Sequence, residues 1–237
     1  MAINPTPIMG TKGSETLRGT ADNDTIFPIA GNDNVFAGTG IDTVVYTGLL
    51  ASYRITVSPS KVVGVRGDTP VTTTDAGVTS TAIVPTLAIL NEVERIRFDD
   101  KIYVLDTGVG SHAHQISTLY AAAGAPISDL QSVASWLRVA DQLDSHSKLA
   151  TAIINAYAPG VSDNDFVTFL YGSLTGGARI STQDLATFTS MIGTGKTFAN
   201  QGEVFAAVAS LPEVTSMAKV VSLVGTFQTI NVSDYGI

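Results

Sequence analysis

The chain has no cysteine among its 237 residues, a single tryptophan and three histidines. The missing thiols exclude disulfides, thiolate metal sites and cysteine nucleophiles together. Their absence fits an extracellular bacterial protein that avoids redox chemistry. Cationic charge is scarce too: 13 basic residues face 21 acidic ones, a net charge of -8. Residues 1–110 carry 8 basic and 12 acidic groups and the remainder carries 5 and 9, so neither half has a basic stripe for nucleic acid or an anionic membrane. No apolar run approaches the length of a membrane-spanning helix. The opening "MAINPTPIMG" lacks the basic and apolar regions of a classical signal peptide, which predicts an export address elsewhere if the protein is exported. What is present is a globular composition, 44% apolar and 14% charged.

The first fifty residues repeat. Glu15, Asp24, Asp33 and Asp42 stand nine apart, and two residues after each comes an aliphatic: Leu17, Ile26, Val35 and Val44. Two residues before them come Gly13, Asp22, Gly31 and Gly40; five before come Gly10, Gly19, Pro28 and Ala37. A short strand centred on the aliphatic buries that side chain, and a glycine-rich turn reverses the chain. Stacked turns place carbonyl oxygens and one carboxylate per turn where a hard cation fits between layers, and an oxygen-only ligand set selects calcium over zinc or copper.

These rows, "GTKGSETLR", "GTADNDTIF", "PIAGNDNVF" and "AGTGIDTVV", resemble the GGxGxDxUx nonapeptide of the RTX (repeats-in-toxin) family. The resemblance implies a parallel β-roll with two rows per turn, so that sites pair alternate rows. Asp24 with Asp42 would hold one calcium ion and Glu15 with Asp33 another, helped by the carbonyls of Gly13, Gly31 and Gly40, with Asp22 a further acidic candidate. Asp22, Pro28 and Ala37 depart from the glycine columns, and Glu15 is longer than the usual aspartate. These departures predict one well-formed site and one degraded one. Four aliphatics are too small a core to stand alone, so the roll needs a cap.

Residues 43–106 read as strands rich in Val, Ile, Tyr and Thr. In "VERIRF", Val93, Ile96 and Phe98 are apolar while Glu94, Arg95 and Arg97 are charged, and Asp99–Asp100 before Lys101 reads as a hairpin turn. "DTVVYTGLLASYRI" and "NEVERIRFDDKIYVLD" resemble segments that follow the last RTX rows of bacterial surface proteins, which implies a structural cap without chemistry.

After "TGVGS" the apolar period becomes helical. Faces are predicted at Ile116, Leu119, Tyr120 and Ala123; at Val133, Trp136, Leu137 and Ala140; and at Leu149, Ile153, Ala156 and Tyr157. Two more are Phe166, Phe169, Leu170 and Leu174, then Leu185, Phe188, Met191 and Ile192. Ser128 with Gln131, Ser162 with Asp165, Ser181 with Asp184 and Asn200 with Glu203 are capping-box-like starts. "ISTLYAAAGAPISDLQSVASWL" and "SDNDFVTFLYGSLTGGARISTQDLATF" resemble two copies of a helical domain of unknown function, described as phycobilisome-linker-like, that follows RTX rows in secreted proteins.

Other motifs carry less. "GTGKT", Gly193–Thr197, has Ser190 where a phosphate loop needs its first glycine, and reads as a helix end followed by a turn. His112 and His114 read as a solvated linker, and with His146 the third histidine no acidic residue or further histidine completes a metal-ligand spacing. Trp136 reads as core, and no G-x-S-x-G occurs. The tail "GTFQTINVSDYGI" resembles the uncleaved C-terminal signal of leaderless type I export.

The sequence thus predicts an α+β protein: residues 1–110 a calcium β-roll with a β cap, residues 111–237 a compact all-α bundle. It predicts no enzyme. The function expected is a secreted or cell-surface calcium-binding protein with a structural or adhesive role in a surface layer or biofilm. Its alternatives are a glycan- or protein-binding module working through the helices, or an accessory domain of a secreted enzyme. Calcium ions are the expected cofactor, with a cell-surface glycan or a second copy of the chain as candidate partners.

Overall fold

A computed structural model of the chain describes residues 6–75, 78–125, 130–217 and 229–235. Strands and helices occupy different parts of it, an α+β arrangement. The chain divides into two compact units: Met1–Asp106 with Gln228–Ile237, and Thr107–Phe227.

In the first unit each nine-residue row contributes a short strand: β2 (Thr16–Arg18), β3 (Thr25–Phe27), β4 (Gly31–Phe36) and β5 (Thr43–Val45), with β1 (Ile8–Met9) just before the first row. The aliphatic column is buried throughout, from Leu17 at 8% exposed to Ile26, Val35 and Val44 at 0%. Each such side chain contributes about 1.5–3 kcal/mol when fully removed from water. Rows pair in parallel with the next row but one, Leu17 opposite Val35 and Ile26 opposite Val44. Ile8 lies opposite Ile26 in the same register, so the aliphatic column starts one row before the acidic one.

The residues after Tyr46, expected as a cap, prolong the sheets of the rows themselves. They supply β6 (Tyr53–Val57), β7 (Val63–Asp75), β8 (Val78–Asn91), β9 (Arg95–Arg97) and β10 (Lys101–Val104). β8 runs parallel to β4 and β9 parallel to β5, so both sheets are prolonged by the same kind of pairing that the rows use. With β11 (Thr229–Asn231), the strand orders are β1-β3-β5-β9-β10-β11 and β2-β4-β8-β7-β6. Ile26, Val35, Val44, Val65, Leu90, Ile96 and Phe98 share one core with Tyr46 and Tyr53. The predicted turn at Asp99–Asp100 joins β9 to β10, and its two carboxylates accept the amides of Gly48 at 2.7 Å and Leu50 at 2.8 Å.

Arg95 departs from the charged side of the "VERIRF" alternation. It is 1% exposed, ion-paired with Asp106, and donates to the Glu94 carbonyl at 2.9 Å. β9 lies inside its sheet between β5 and β10, where the position has no route to water. The tail also differs from a division at residue 110. β11 pairs antiparallel with β10, Ile102 opposite Ile230, and a single helical turn follows at Val232–Tyr235. Of the expected export signal, residues 225–228 and 236–237 lie outside the described residues.

The second unit contains, among the described residues, α1 (His112–Ala122), α2 (Leu130–Asp141), α3 (His146–Tyr157), α4 (Asp163–Leu174), α5 (Thr182–Thr189), α6 (Gln201–Ala209) and α7 (Pro212–Met217). Ser162, Ser181 and Asn200 cap their helices as the sequence predicts, accepting the amides of Asp165, Asp184 and Glu203. Ser111 and Ser145 cap α1 and α3 in the same way, a signal the sequence carries without an acid at the third helical position. The Ser128 cap and the Val133 side chain lie outside the described residues.

Ile116, Leu119, Leu137, Leu149, Ile153, Phe166 and Leu170 are buried as predicted. Tyr157, Phe169 and Phe188 are not, at 64%, 55% and 44% exposed. α5 buries no residue, and Tyr157 and Phe169 stand beside a surface cavity. Trp136 is likewise only half-buried, with its ring 6.1 Å from that of Tyr157. "GTGKT" is a turn after α5, closed by the Gly193 amide donating to the Phe198 carbonyl at 2.8 Å. His112 and His114 belong to the first turn of α1 and not to a linker. His112 Nδ1 lies 2.8 Å from Asp141 Oδ1 on α2, a partner that helix packing supplies and spacing does not reveal.

Candidate metal centre

The acidic column of the rows forms a ladder of carboxylates along one edge of the stacked turns. The carboxylates of Asp33 and Asp42 reach back to the main chain one layer below. Asp33 Oδ1 accepts the Glu15 amide at 2.9 Å, and Asp42 Oδ1 accepts the Asp24 amide at 2.7 Å. The ladder therefore consists of two columns, Glu15–Asp33 and Asp24–Asp42, the pairs expected from alternate rows.

The layers differ in how their charge is met. In the lower layer threonine supplies donors. Asp24 Oδ2 accepts the Thr20 amide at 2.6 Å and its hydroxyl at 2.9 Å. Glu15 accepts the Thr11 amide at 3.3 Å and the Thr11 hydroxyl, which holds its carboxyl below the usual carboxylate range. In the upper layer Asp33 and Asp42 are 2% and 0% exposed, and their second oxygens, Asp33 Oδ2 and Asp42 Oδ2, are buried with no hydrogen-bond partner. A buried carboxylate oxygen with neither donor nor cation is costly. Burial accordingly pushes both groups up from the ordinary aspartate value to about 6.

The glycine positions are tight. A Cβ on Gly31 would sit 1.9 Å from the Gly13 carbonyl oxygen, and the Gly31 φ of +106° belongs to the region glycine favours. Asp22 takes the same turn position in its row. Its side chain is exposed and outside the ladder, while its carbonyl lies against Gly40. Gly13, Asp22, Gly31 and Gly40 thus line the stacked turns with main chain, and Asp22 contributes no carboxylate.

Among the described residues no three His, Asp or Glu side chains converge as a metal group on their own. A cation here would be held by two carboxylates per column together with main-chain oxygens, a hard all-oxygen set that suits calcium. The two orphaned oxygens are where the donor set has room for it.

One member of the ladder escaped the nine-residue pattern. Glu94 Oε2 accepts the Asp42 amide at 2.8 Å, repeating the rung one layer higher from a residue 52 positions away. Burial raises Glu94 to about 7, with the like charges of Asp42 and Asp106 adding to it and Arg95 opposing. The sequence signal is an acid followed two residues on by an aliphatic, here the buried Ile96, with Glu92 in the turn position at φ 57°.

These three raised groups fix a pH dependence for the metal-free protein. An acid whose folded value is raised contributes stability that is present at low pH and lost as pH rises through that value. Calcium-free protein is therefore expected to lose stability between about pH 4 and pH 7, the window bounded by the ordinary carboxylate values and those of Asp33, Asp42 and Glu94. Denaturant midpoints across that range in EDTA check it; a midpoint that rises steadily toward pH 7 would contradict these assignments.

Residues 9–44 match the RTX calcium-binding nonapeptide repeat in four copies. No curated protein and no solved structure matches the chain. No helix among the described residues is long and apolar enough to cross a membrane. The rows of Glu15, Asp24, Asp33 and Asp42 are RTX-type repeats, a repeat typical of secreted bacterial proteins, and calcium is the ion such repeats bind.

Proposed function

We propose that this is a secreted or cell-surface protein whose first unit is a calcium β-roll, acting as a folding switch in a structural or adhesive role. The observation that carries this reading is the pair of buried, unpartnered oxygens on Asp33 and Asp42, inside residues that match a calcium-binding repeat. Without cation the upper layer holds desolvated charge met by only one amide hydrogen bond per carboxylate. Extracellular calcium modules bind in roughly the 0.1–1 mM range, so such sites stay empty in the cytosol and fill outside. A chain that is loose before export, through a leaderless type I route, and firm after it follows from that difference. The test is far-UV circular dichroism and thermal unfolding of the full chain in EDTA and in millimolar calcium; identical melting curves would remove the reading.

A second reading, a binding module in the helical unit, is favoured by one feature. A cavity of about 610 Å³ opens among Leu119, Tyr120, Ile153, Tyr157, Phe166 and Phe169, a size suited to a small ligand. Its lining is mostly apolar, whereas a glycan site needs polar groups beside its aromatic rings. An apolar ligand or side chain fits better than a sugar. Phe169→Asp, at an exposed position, is expected to abolish enhancement of a hydrophobic dye's fluorescence while leaving the melting temperature within about 2 °C, since surface substitutions cost little. Unchanged dye binding would dismiss the cavity.

A further inference from the structure

We propose that Glu94 is a cation ligand: with Asp42 it forms a calcium site at the junction between the last nine-residue row and β9, outside the residues that match the repeat. This rests on the calcium reading of the rows themselves.

Three observations carry it. First, the rung geometry is continuous. Asp24 donates its amide to Asp42 and Asp42 donates its amide to Glu94, at 2.7 and 2.8 Å, so the Glu94 carboxylate stands to Asp42 as the Asp42 carboxylate stands to Asp24. Second, the backbone beneath it follows the same register. β9 pairs with β5 in parallel, Val44 opposite Ile96, and the amide of Arg95 donates to the Asp42 carbonyl at 3.0 Å as the amide of Thr43 donates to the Asp24 carbonyl at 2.9 Å. Third, Asp42 Oδ2 is an unpartnered oxygen on a side chain that is 0% exposed. Asp42 has Asp24 in the layer below and Glu94 in the layer above, so three carboxylates stack without a cationic side chain hydrogen-bonded to Asp42. The local counter-charge, Arg95, is engaged by Asp106 and the Glu94 carbonyl. A divalent ion that accepts carboxylate and carbonyl oxygens meets these demands, and calcium tolerates the irregular coordination that magnesium does not.

The consequence concerns folding order. Glu94 reaches Asp42 across 52 residues that include the whole β6–β7–β8 excursion. An ion held by both residues closes that loop, so its binding free energy is available only once β9 has docked on β5. Calcium would then favour completion of the whole first unit and not merely of its rows.

The experiment is calcium titration by isothermal calorimetry on the full chain, comparing wild type with Glu94→Gln and, as a marker for the other column, Asp33→Asn. Glutamine keeps an acceptor oxygen for the Asp42 amide, so the rung survives while the charge goes. The expected result is loss of one calcium equivalent, or at least a tenfold weaker phase, in Glu94→Gln, distinct from the phase lost in Asp33→Asn. Magnesium at the same concentration is expected not to substitute. A Glu94→Gln isotherm that superimposes on wild type overturns the role of Glu94 and leaves the calcium rows standing. A wild type that takes up no calcium overturns the reading of the rows, and this inference with it. Should Glu94→Gln fail to fold in EDTA by circular dichroism, Glu94→Asn, which likewise keeps an acceptor oxygen without the charge, decides on the same criterion.

Discussion

Asp42→Asn is expected to stabilise the protein in EDTA and to destabilise it in calcium, reversing the order of melting temperatures. The Asp42 side chain is 0% exposed, Oδ1 accepts the Asp24 amide and Oδ2 has no partner. Asparagine keeps the acceptor for that amide and removes the charge. An unpartnered buried amide costs less than an unpartnered buried carboxylate, so the metal-free variant gains about 1–2 kcal/mol near neutral pH. With calcium at a hundred times its dissociation constant, wild type gains about 2.7 kcal/mol from one site, which in a unit of this size is a rise of about 10 °C. The variant forfeits most of that gain, because an amide oxygen attracts the ion far less than a carboxylate does. Differential scanning calorimetry of both proteins in both conditions gives the four values needed. If the variant shows the same calcium-dependent rise as wild type, the ion is not at this column. If it is destabilised in EDTA as well, Asp42 has a partner that its buried oxygen does not reveal.

The second large effect is steric. Gly31→Ala is expected to cost about 3–5 kcal/mol, enough to unfold the first unit at moderate temperature. The added carbon would lie 1.9 Å from the Gly13 carbonyl oxygen, in main chain that cannot move without separating two layers, and at a φ of +106° that alanine strongly disfavours. Gly13→Ala is the matched control. It occupies the same column one turn earlier, yet its added carbon would meet only the Glu15 carboxylate at 3.2 Å and the Thr11 hydroxyl at 3.4 Å, both ends of flexible side chains. Its cost should stay near or below about 1 kcal/mol. Urea midpoints in saturating calcium separate the two. Equal costs would mean that the layers are not stacked as the parallel register requires.

These two experiments address different things that the rows encode. A carboxylate column can be replaced and the stack kept, whereas the turn glycine holds the stack itself. A variant that loses calcium but keeps its circular dichroism spectrum thus separates ligand from scaffold, and Asp42→Asn and Gly31→Ala are expected to fall on opposite sides of that division.

By itself the sequence determined everything that depends on local repetition. Acid, aliphatic and turn residues at a fixed spacing specify which side chain enters the core and which cation an all-oxygen set suits, because one row's geometry is copied into the next; that alternate rows share a column was implied by the resemblance to the RTX repeat. Helix starts at Ser162, Ser181 and Asn200 were legible for the same reason: a cap acts on amides three residues away. Tertiary structure decided what depends on distant chain. It placed Glu94 on the ladder through β9–β5 pairing across 52 residues, buried Arg95 against Asp106, brought His112 to Asp141, and returned the C-terminal strand to the first unit beside β10. It also left Tyr157 and Phe169 exposed on faces whose period reads as core, since periodicity shows that a helix has an apolar side and not whether a neighbour covers all of it. The sequence names the carboxylates of a repeat; only the folding back of a later strand decides where the column ends.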